Sequence, residues 1–361
     1  MSLKQTHENL PIPPRGQDKH YIQAALGGLG LCVAGLYMAV ALPHFAPFAG
    51  PESWDARFMD HALTTASGPA GDRARDSAYI EDRDEDGLDK PGLVMTVGST
   101  KKLSDLFANM GYHLDTVREE QTLVPRVYLA SLPRDLDDVP SLDARKAVFI
   151  RTMLPLVLKV NESILLERGR LLALRTRINL GKPIPPEDRA WLQELSTRYG
   201  LAEPDFGLLL RRVDIIPPSV AIAQAAEESG WGTSRFAREG NAPFGQYTFD
   251  DDNGMVPAHR EDGKRHMIRA YDRLLDGVRS YAQNLNSHDA YRQFRIQRAE
   301  MRARGRELDG VSLVPALLAY SERGQAYVDT IQTIIRANDL APFDRARLKG
   351  GKLSSFLVAR N

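Results

Sequence analysis

The chain contains one cysteine, Cys32, in 361 residues. A lone thiol cannot close an internal disulfide and cannot build a cysteine-based zinc site, so neither staple holds this fold. The eight histidines include no HExxH-type pair, and His259 and His266 read as solvated loop residues. No metal and no cofactor is therefore implied. An excess of charge is also missing. Lys plus Arg number 47 and Asp plus Glu number 47, which gives no case for nucleic acid as a partner. Large apolar groups are scarce between residues 50 and 95, where Asp, Arg, Gly and Ser dominate. Such a stretch buries too little surface to fold alone and reads as a flexible spacer. Within it Asp82-x-Asp84-x-Asp86-Gly87 begins like a calcium loop. The twelfth position is Leu93, where a bidentate Glu is needed, and Pro91 intrudes, so a solvated acidic run is the better reading.

One long apolar run is present. Tyr21 to Leu42 carries no charge and Pro43 ends it. A bilayer core takes roughly 20 apolar residues in a helix, and this run has the length. It exceeds a signal-peptide core, and Ala46-Pro-Phe-Ala49 is a poor cleavage site, so an uncleaved anchor is expected over 21–43. Lys4, Arg15 and Lys19 precede the run, whereas Arg57 is the first basic residue after it. That asymmetry puts residues 1–20 in the cytoplasm and the rest beyond the inner membrane, in the periplasm. A spacer over 44–98 follows.

Residues 99–140 read as a small, partly ordered region that docks on the main domain. Leu103, Leu106, Phe107 and Met110 recur at helical spacing before Gly111, and Val127 to Leu132 suit a short strand. From Ser141 a long helix is predicted to about Asn179, with Val148, Phe149, Met153, Leu156, Val160, Ile164 and Leu165 inward and a kink at Pro155. Pro186 to Tyr199 forms a second helix. The next run, PPSVAIAQAAEESGWG from Pro217, organises the rest. Pro217 and Pro218 suit a helix entry, Ser219 can accept from an early N–H, and Gly230 and Gly232 stop the helix. Val220 to Ala226 are small or apolar, so the helix is expected to be buried. Glu227 and Glu228 then sit in its last turn, where burial and the helix dipole both disfavour ionisation. A carboxyl so placed can serve as a general acid near neutral pH, and Trp231 beside it offers an aromatic face to a sugar ring. The competing reading is an exposed pair at a frayed helix end.

The segment AQAAEESGWG, with Phe236-Ala237 and Asn241-Ala-Pro-Phe244-Gly245 after it, resembles the glucosaminidase domain of glycoside hydrolase family 73. Looser likeness extends over about 145–340, through Arg212-Val-Asp214-Ile-Ile-Pro217, Asn284-Leu-Asn286, Tyr291 and Phe294. The resemblance implies a mainly α (α+β) fold, a lysozyme-like helical domain over 141–341 with a small β-hairpin lobe. It implies hydrolysis of peptidoglycan glycan strands, with Glu228 as the catalytic acid and no assigned part for Glu227. Tyr327, in Tyr320-Ser-Glu-Arg-Gly-Gln-Ala-Tyr327, matches the family's late active-site Tyr. Trp231, Asn241, Phe244, Gly245 and Tyr247 fall where substrate would bind. The family usually carries Asn-Asn-Leu-Phe-Gly where Asn241-Ala242-Pro243-Phe244-Gly245 stands here, and Pro243 lacks a backbone donor.

The β lobe is expected as Gln246–Phe249, an Asn253-Gly254 turn, Met255–His259, an Asp262-Gly263 turn and Arg265–Tyr271. A second catalytic carboxylate, if used, comes from Asp250, Asp251, Asp252, Glu261 or Asp262, and Glu261 is the choice made here. The sugar's own acetamido group can also attack, so retaining, inverting and substrate-assisted routes stay open. A lytic transglycosylase and a non-catalytic wall-binding scaffold are the alternatives. Helices are expected over Ala270–Asn286 and, broken near Gly324, over Val311–Arg336, before a loose basic tail over 342–361.

Overall fold

A computed structural model describes residues 80–82, 92–119, 122–248, 254–256 and 267–350. Strand β1 (Ile80–Asp82) runs antiparallel to β2 (Gly92–Met95), and β2 lies parallel to β3 (Val127–Leu129). Parallel strands need a crossover. Helices α1 (Thr100–Asn109) and α2 (Leu114–Glu119) provide it. Ser99 caps α1 by accepting from the Lys102 N–H, and Gly111, at φ 66°, turns the chain after it. The strand β2 falls inside the stretch read as spacer. Val94 and Met95 are buried there because their partner strand lies some thirty residues further on, a pairing that local composition does not register. The apolar run 21–43 lies outside the described residues, and among those described no helix is long and apolar enough to cross a membrane.

The helical body starts with α3 (Leu142–Asn179), capped by Ser141 and carrying Pro155 within it. Its 38 residues make a rod of about 57 Å. Next come α4 (Pro186–Arg198), α5 (Phe206–Arg212), α6 (Pro218–Ser229) and α7 (Arg235–Glu239). The second sheet holds β4 (Tyr247–Thr248), β5 (Gly254–Met255) and β6 (Met267–Arg269). Its order is β4-β6-β5, so the Asn253-Gly254 step does not join two neighbouring strands as expected. The last strand inserts between the first two and pairs antiparallel with both. This follows from burial: Met267 and Ile268 are buried, which suits the centre of the sheet, while Tyr247 stays exposed at the edge. After it run α8 (Leu274–Ser287), a 3-10 turn (Asp289–Tyr291), α9 (Arg292–Ala303), α10 (Gly310–Leu313) with a 3-10 extension (Val314–Tyr320), α11 (Gln325–Ala337) and a final 3-10 turn (Ala341–Arg345).

Helix α6 lies at the centre, against α3, α10, α11 and the final 3-10 turn. Pro218 through Ala226 are all buried. Residues 99–140 and the helical body share this one hydrophobic core. The chain after Phe343 also differs from the loose tail expected. Phe343 and Leu348 are buried, and Lys349 N–H donates to the Val124 carbonyl while Val124 N–H donates to the Arg347 carbonyl. Two apolar side chains among several basic ones are enough to dock this segment as far as residue 350.

A cluster of buried charge lies beside the entry to α6. Asp214, 1% exposed, accepts from Arg302 at 3.1 and 2.9 Å and lies 3.7 Å from Arg168. Arg298, fully buried, donates to the Asp214 and Ile215 carbonyls. Burial alone would push the Asp214 carboxyl up, but Arg298, Arg302 and Arg168 outweigh it and hold the group below the usual range. Asn286 donates to the same Asp214 carbonyl, so the flanking pattern around Arg212, Asp214 and Asn286 serves to hold the turn into α6.

Candidate active site

Helix α6 enters and leaves as its residues dictate. Pro218 opens it, and Gly230 ends it in the left-handed conformation at φ 58°. Ser219 does not cap the helix, contrary to expectation. It sits inside the first turn and donates through its hydroxyl to Asp344 Oδ2 at 2.8 Å, while its N–H donates to Asp344 Oδ1. Gly310 N–H donates to the same Oδ2 at 2.9 Å, and Gly310 comes so close that an added Cβ would lie 2.0 Å from Ser219 Oγ. A carboxylate from the chain's far end thus satisfies the N-terminus of α6. Burial pushes the Asp344 carboxyl up to about 6, against these donors.

The exit from α6 explains Ser-Gly-Trp-Gly residue by residue. Gly230, Trp231 and Gly232 all have positive φ, at 58°, 61° and 82°. Such a conformation costs about 1–2 kcal/mol for a residue with a Cβ, so Trp231 is held there by its surroundings. The Ser229 hydroxyl accepts from Gly232 N–H at 2.8 Å. A Cβ on Gly232 would lie 2.9 Å from Leu132 Cδ1 and from Phe149 Cδ2. The turn therefore needs glycine twice, for conformation and for room. Trp231 meets Phe149 edge to face at 5.9 Å, and the Lys146 ammonium sits over its ring at 5.1 Å. One face of the indole is thus occupied by a cation. Lys146 also lines a cavity of about 460 Å³ with Arg118, Asp143, Arg151 and Asp339; Glu228 does not line it.

Glu228 itself is exposed, although the helix that carries it is buried. The last turn of α6 breaks the surface, leaving Glu227 half-buried and Glu228 open to solvent. Burial is therefore not what distinguishes Glu228, and for this residue the expected burial gives way to the competing reading of an exposed helix end. Its place is marked by a buried tyrosine. The Tyr327 hydroxyl, on α11, donates to Glu228 Oε1 at 3.0 Å. Gln224 lies one helical turn before Glu228 and donates through Nε2 to the Tyr327 oxygen at 3.0 Å. Tyr281, on α8, donates to Gln224 Oε1 at 2.6 Å. Gln224, Tyr281 and Tyr327 are each 2% exposed or less. Burial first, then the Glu228 charge, pushes the Tyr327 hydroxyl far up, so it keeps its proton and acts as a donor. Tyr281 is driven up mainly by burial as well.

Aromatic packing fixes this chain of bonds. Phe244 stacks on Tyr281 at 3.8 Å and 6°, and Tyr320 stacks on Tyr327 at 5.5 Å and 13°. Phe244 is thus a buried support under Tyr281, 4% exposed, and offers no open face. Asn241, in the left-handed region at φ 50°, donates to the Tyr271 and Asp272 carbonyls at 3.0 Å each, tying its loop to the segment before α8. Gly245 turns at φ 59° and leads into Tyr247, which is 53% exposed on β4. The residues matched by sequence divide accordingly. Glu228 and Tyr327 meet; Trp231, Tyr247 and Gly245 reach the surface; Asn241 and Phe244 hold the frame. Glu261, with Asp250, Asp251, Asp252 and Asp262, lies outside the described residues. Sequence reasoning missed Gln224 and Tyr281. The spacing of Gln224 to Glu228, one turn on the same helix, was available as a signal. Among the described residues no three His, Cys, Asp or Glu side chains gather where a metal could sit.

The comparisons with known proteins bear on this geometry. Residues 204–340 match the glucosaminidase family model, described as mannosyl-glycoprotein endo-beta-N-acetylglucosaminidase. Over 204 residues the chain is 34% identical to Protein bax of Escherichia coli (strain K12), covering 55% of this chain and 71% of that protein. This chain belongs to the bacterial Bax-like family of glucosaminidase-domain proteins. It is accordingly a glycoside hydrolase. The catalytic domain of the autolysin Auto from Listeria monocytogenes overlaps 47% of this chain and 96% of its own, at 19% identity and a TM-score of 0.28. In this Bax-like chain the matched family region begins just before α5 and ends before the final 3-10 turn. The sheet β1-β2-β3 and the helices α1 to α3 precede it. The segment between β3 and α3 supplies Leu132 and Leu136, and α3 supplies Phe149, the side chains against which Gly232 packs.

Proposed function

We propose that this Bax-like chain is an endo-β-N-acetylglucosaminidase that cuts the glycan strands of peptidoglycan, with Glu228 as general acid. The observation that carries the reading is the bond from Tyr327 to Glu228 Oε1 at 3.0 Å, made at the one point where the central helix opens to solvent. An acid that must reach a polymer has to be accessible, and one that must donate in a fixed direction has to be oriented. Glu228 meets both demands. In the first step it gives its proton to the glycosidic oxygen as the C1–O bond breaks, and the bonding electrons stay on that oxygen. Water then adds at C1 and loses a proton. In an inverting enzyme a carboxylate about 6.5–9.5 Å away takes that proton; in a retaining one a carboxylate about 5–5.5 Å away attacks first. Glu261 is the candidate for that group, and the substrate's acetamido oxygen is the alternative nucleophile. Trp231, Gly245 and Tyr247 border the path of the strand, with Asn241 and Phe244 shaping the loop beneath. The segment 21–43 anchors the protein in the inner membrane with its N-terminus in the cytoplasm. The domain then works in the periplasm, where the wall lies.

Digestion of purified peptidoglycan with the full-length protein, followed by mass spectrometry of the new ends, tests the reaction. Reducing N-acetylglucosamine ends are expected. 1,6-Anhydro ends would assign the chain to lytic transglycosylases, and intact strands would leave a wall-binding scaffold.

A further inference from the structure

We infer that an arginine-lined cavity between α5 and α9 is a subsite for the carboxylates of the peptide that a peptidoglycan strand carries. The inference rests on the reading of that strand as substrate and adds a second point of contact to it. The cavity, of about 510 Å³, lies where α5 packs on α9. A space of that size takes a small organic ligand rather than a lone ion. Arg211 and Arg212 reach it from the last turn of α5, and Arg292 and Arg295 from the start of α9. Spaced three apart on one helix, Arg292 and Arg295 share a face. Leu208 and Ile296 add apolar contact to the wall.

Four guanidiniums face a single lining carboxylate, Asp289, in a chain whose totals of the two signs are equal. Asp289 offsets little. Its side chain is 93% exposed and comes no nearer than 3.7 Å to Arg212, and an ion pair so open to water is weak. Arg212 Nη1 donates to the Tyr199 and Ser287 carbonyls, and Arg295 Nη1 to the Leu285 and His288 carbonyls. Those carbonyls satisfy N–H groups but cancel no charge. Arg211 and Arg292 make no ion pair among the described residues. The dipole at the end of α5 welcomes a cation, whereas the start of α9 is the opposite pole and disfavours both Arg292 and Arg295. Burial first, then the Arg212 charge, lowers Arg295 to about 10. An anion in the cavity relieves each of these costs.

Position ties the cavity to the acid. Arg292 directly follows Tyr291, whose ring lies 5.8 Å from that of Tyr320. Tyr320 in turn lies 5.5 Å from Tyr327, which donates to Glu228. A branch of a strand cut at Glu228 is thus close to the four arginines. Arginine grips carboxylate and phosphate alike, through paired N–H bonds. The carboxylate is assigned because the strand brings peptides that carry it, and because a peptide, unlike a free ion, fills the space and meets Leu208 and Ile296.

An amidase that strips the peptides from purified peptidoglycan supplies both probes, bare glycan strands and the free peptide. Full-length wild-type protein is expected to cut peptide-bearing strands with a lower KM than bare ones. Arg292→Gln, at an exposed position, is expected to shrink that ratio of KM values about tenfold, the size of one charge-assisted hydrogen bond lost. Arg292→Lys keeps the charge without the planar fork and is expected to fall between the two. A folded double variant, Arg211→Gln with Arg292→Gln, that keeps the wild-type ratio would overturn the inference. Calorimetry with the free peptide separates the subsite from the reaction. If the wild type cuts neither strand, the glucosaminidase reading fails, and peptide binding that weakens about tenfold in Arg292→Gln still supports the subsite. If the wild type is active but binds no peptide, the subsite alone is wrong. Inorganic phosphate is the third probe: if it binds as tightly as the peptide and displaces it, the cavity takes oxyanions at large and the peptide assignment is refuted. If the variants do not fold, salt reads the same charge in the wild type. Peptide binding is expected to weaken as ionic strength rises, and binding indifferent to salt would contradict the claim.

Discussion

At the scale of single residues, the site consists of one exposed carboxylate held by a buried phenol. Tyr327 donates to Glu228 and accepts from Gln224, so its hydroxyl carries two bonds that phenylalanine would lose. Tyr327→Phe is expected to lower turnover about tenfold or more while leaving the stacked ring and the fold in place, as measured by kcat and a thermal melt. Because burial and the Glu228 charge drive the Tyr327 hydroxyl upward, it contributes no titration of its own near neutral pH. The pair was half legible in the sequence. Glu228 and Tyr327 each stand in a recognisable local motif, but Gln224 and Tyr281 read as ordinary positions on apolar helix faces. Their role arises from partners 57 and 103 residues away, which no local pattern encodes. The exposure of Glu228 was the competing reading of this pair, left open because the small residues up to Ala226 predict a buried helix without showing whether its last turn breaks the surface.

At the scale of elements, α6 is held at both ends, and both holds can be tested. At its C-terminal end an added methyl on Gly232 meets Leu132 and Phe149 at 2.9 Å, in a conformation at φ 82°. Gly232→Ala is expected to destabilise the fold by roughly 1–3 kcal/mol through overpacking alone, read as a lower urea midpoint. At its N-terminal end Asp344 accepts from Ser219 twice and from Gly310. Its folded pKa, about 6, lies above the ordinary carboxyl value of 3.8. Between these values the folded protein binds a proton that the unfolded chain has released, so this group adds stability as pH falls from about 6 towards 4 and loses it as pH rises. Asp344→Asn removes that dependence and presents an amide N–H to donors. It is expected to be less stable than wild type, with a gap in urea midpoint that widens between pH 7 and pH 5. A gap independent of pH would mean that Asp344 titrates as an ordinary carboxyl. The glycine stops and proline entry of α6 were legible, since they are local. The cap from Asp344 was not, because it arrives from 125 residues away.

At the scale of the whole molecule, the long helices and their stops follow from apolar periodicity and punctuation, and the mainly helical class follows with them. The strand order β4-β6-β5 and the docking of residues 343–350 did not follow, since short segments with mixed polarity gain their place only from what they meet. The apolar segment 21–43 carries an independent prediction. A chain lacking residues 1–43 is expected to leave the membrane fraction while keeping its specific activity on purified peptidoglycan; continued sedimentation with membranes would remove the anchor from the account. The central claim is the acid at position 228. The rate at which full-length Glu228→Gln releases soluble fragments from peptidoglycan, with folding checked by circular dichroism, tests it most directly. The account predicts a fall of about 10²-fold or more, and a folded variant working at close to the wild-type rate would contradict it.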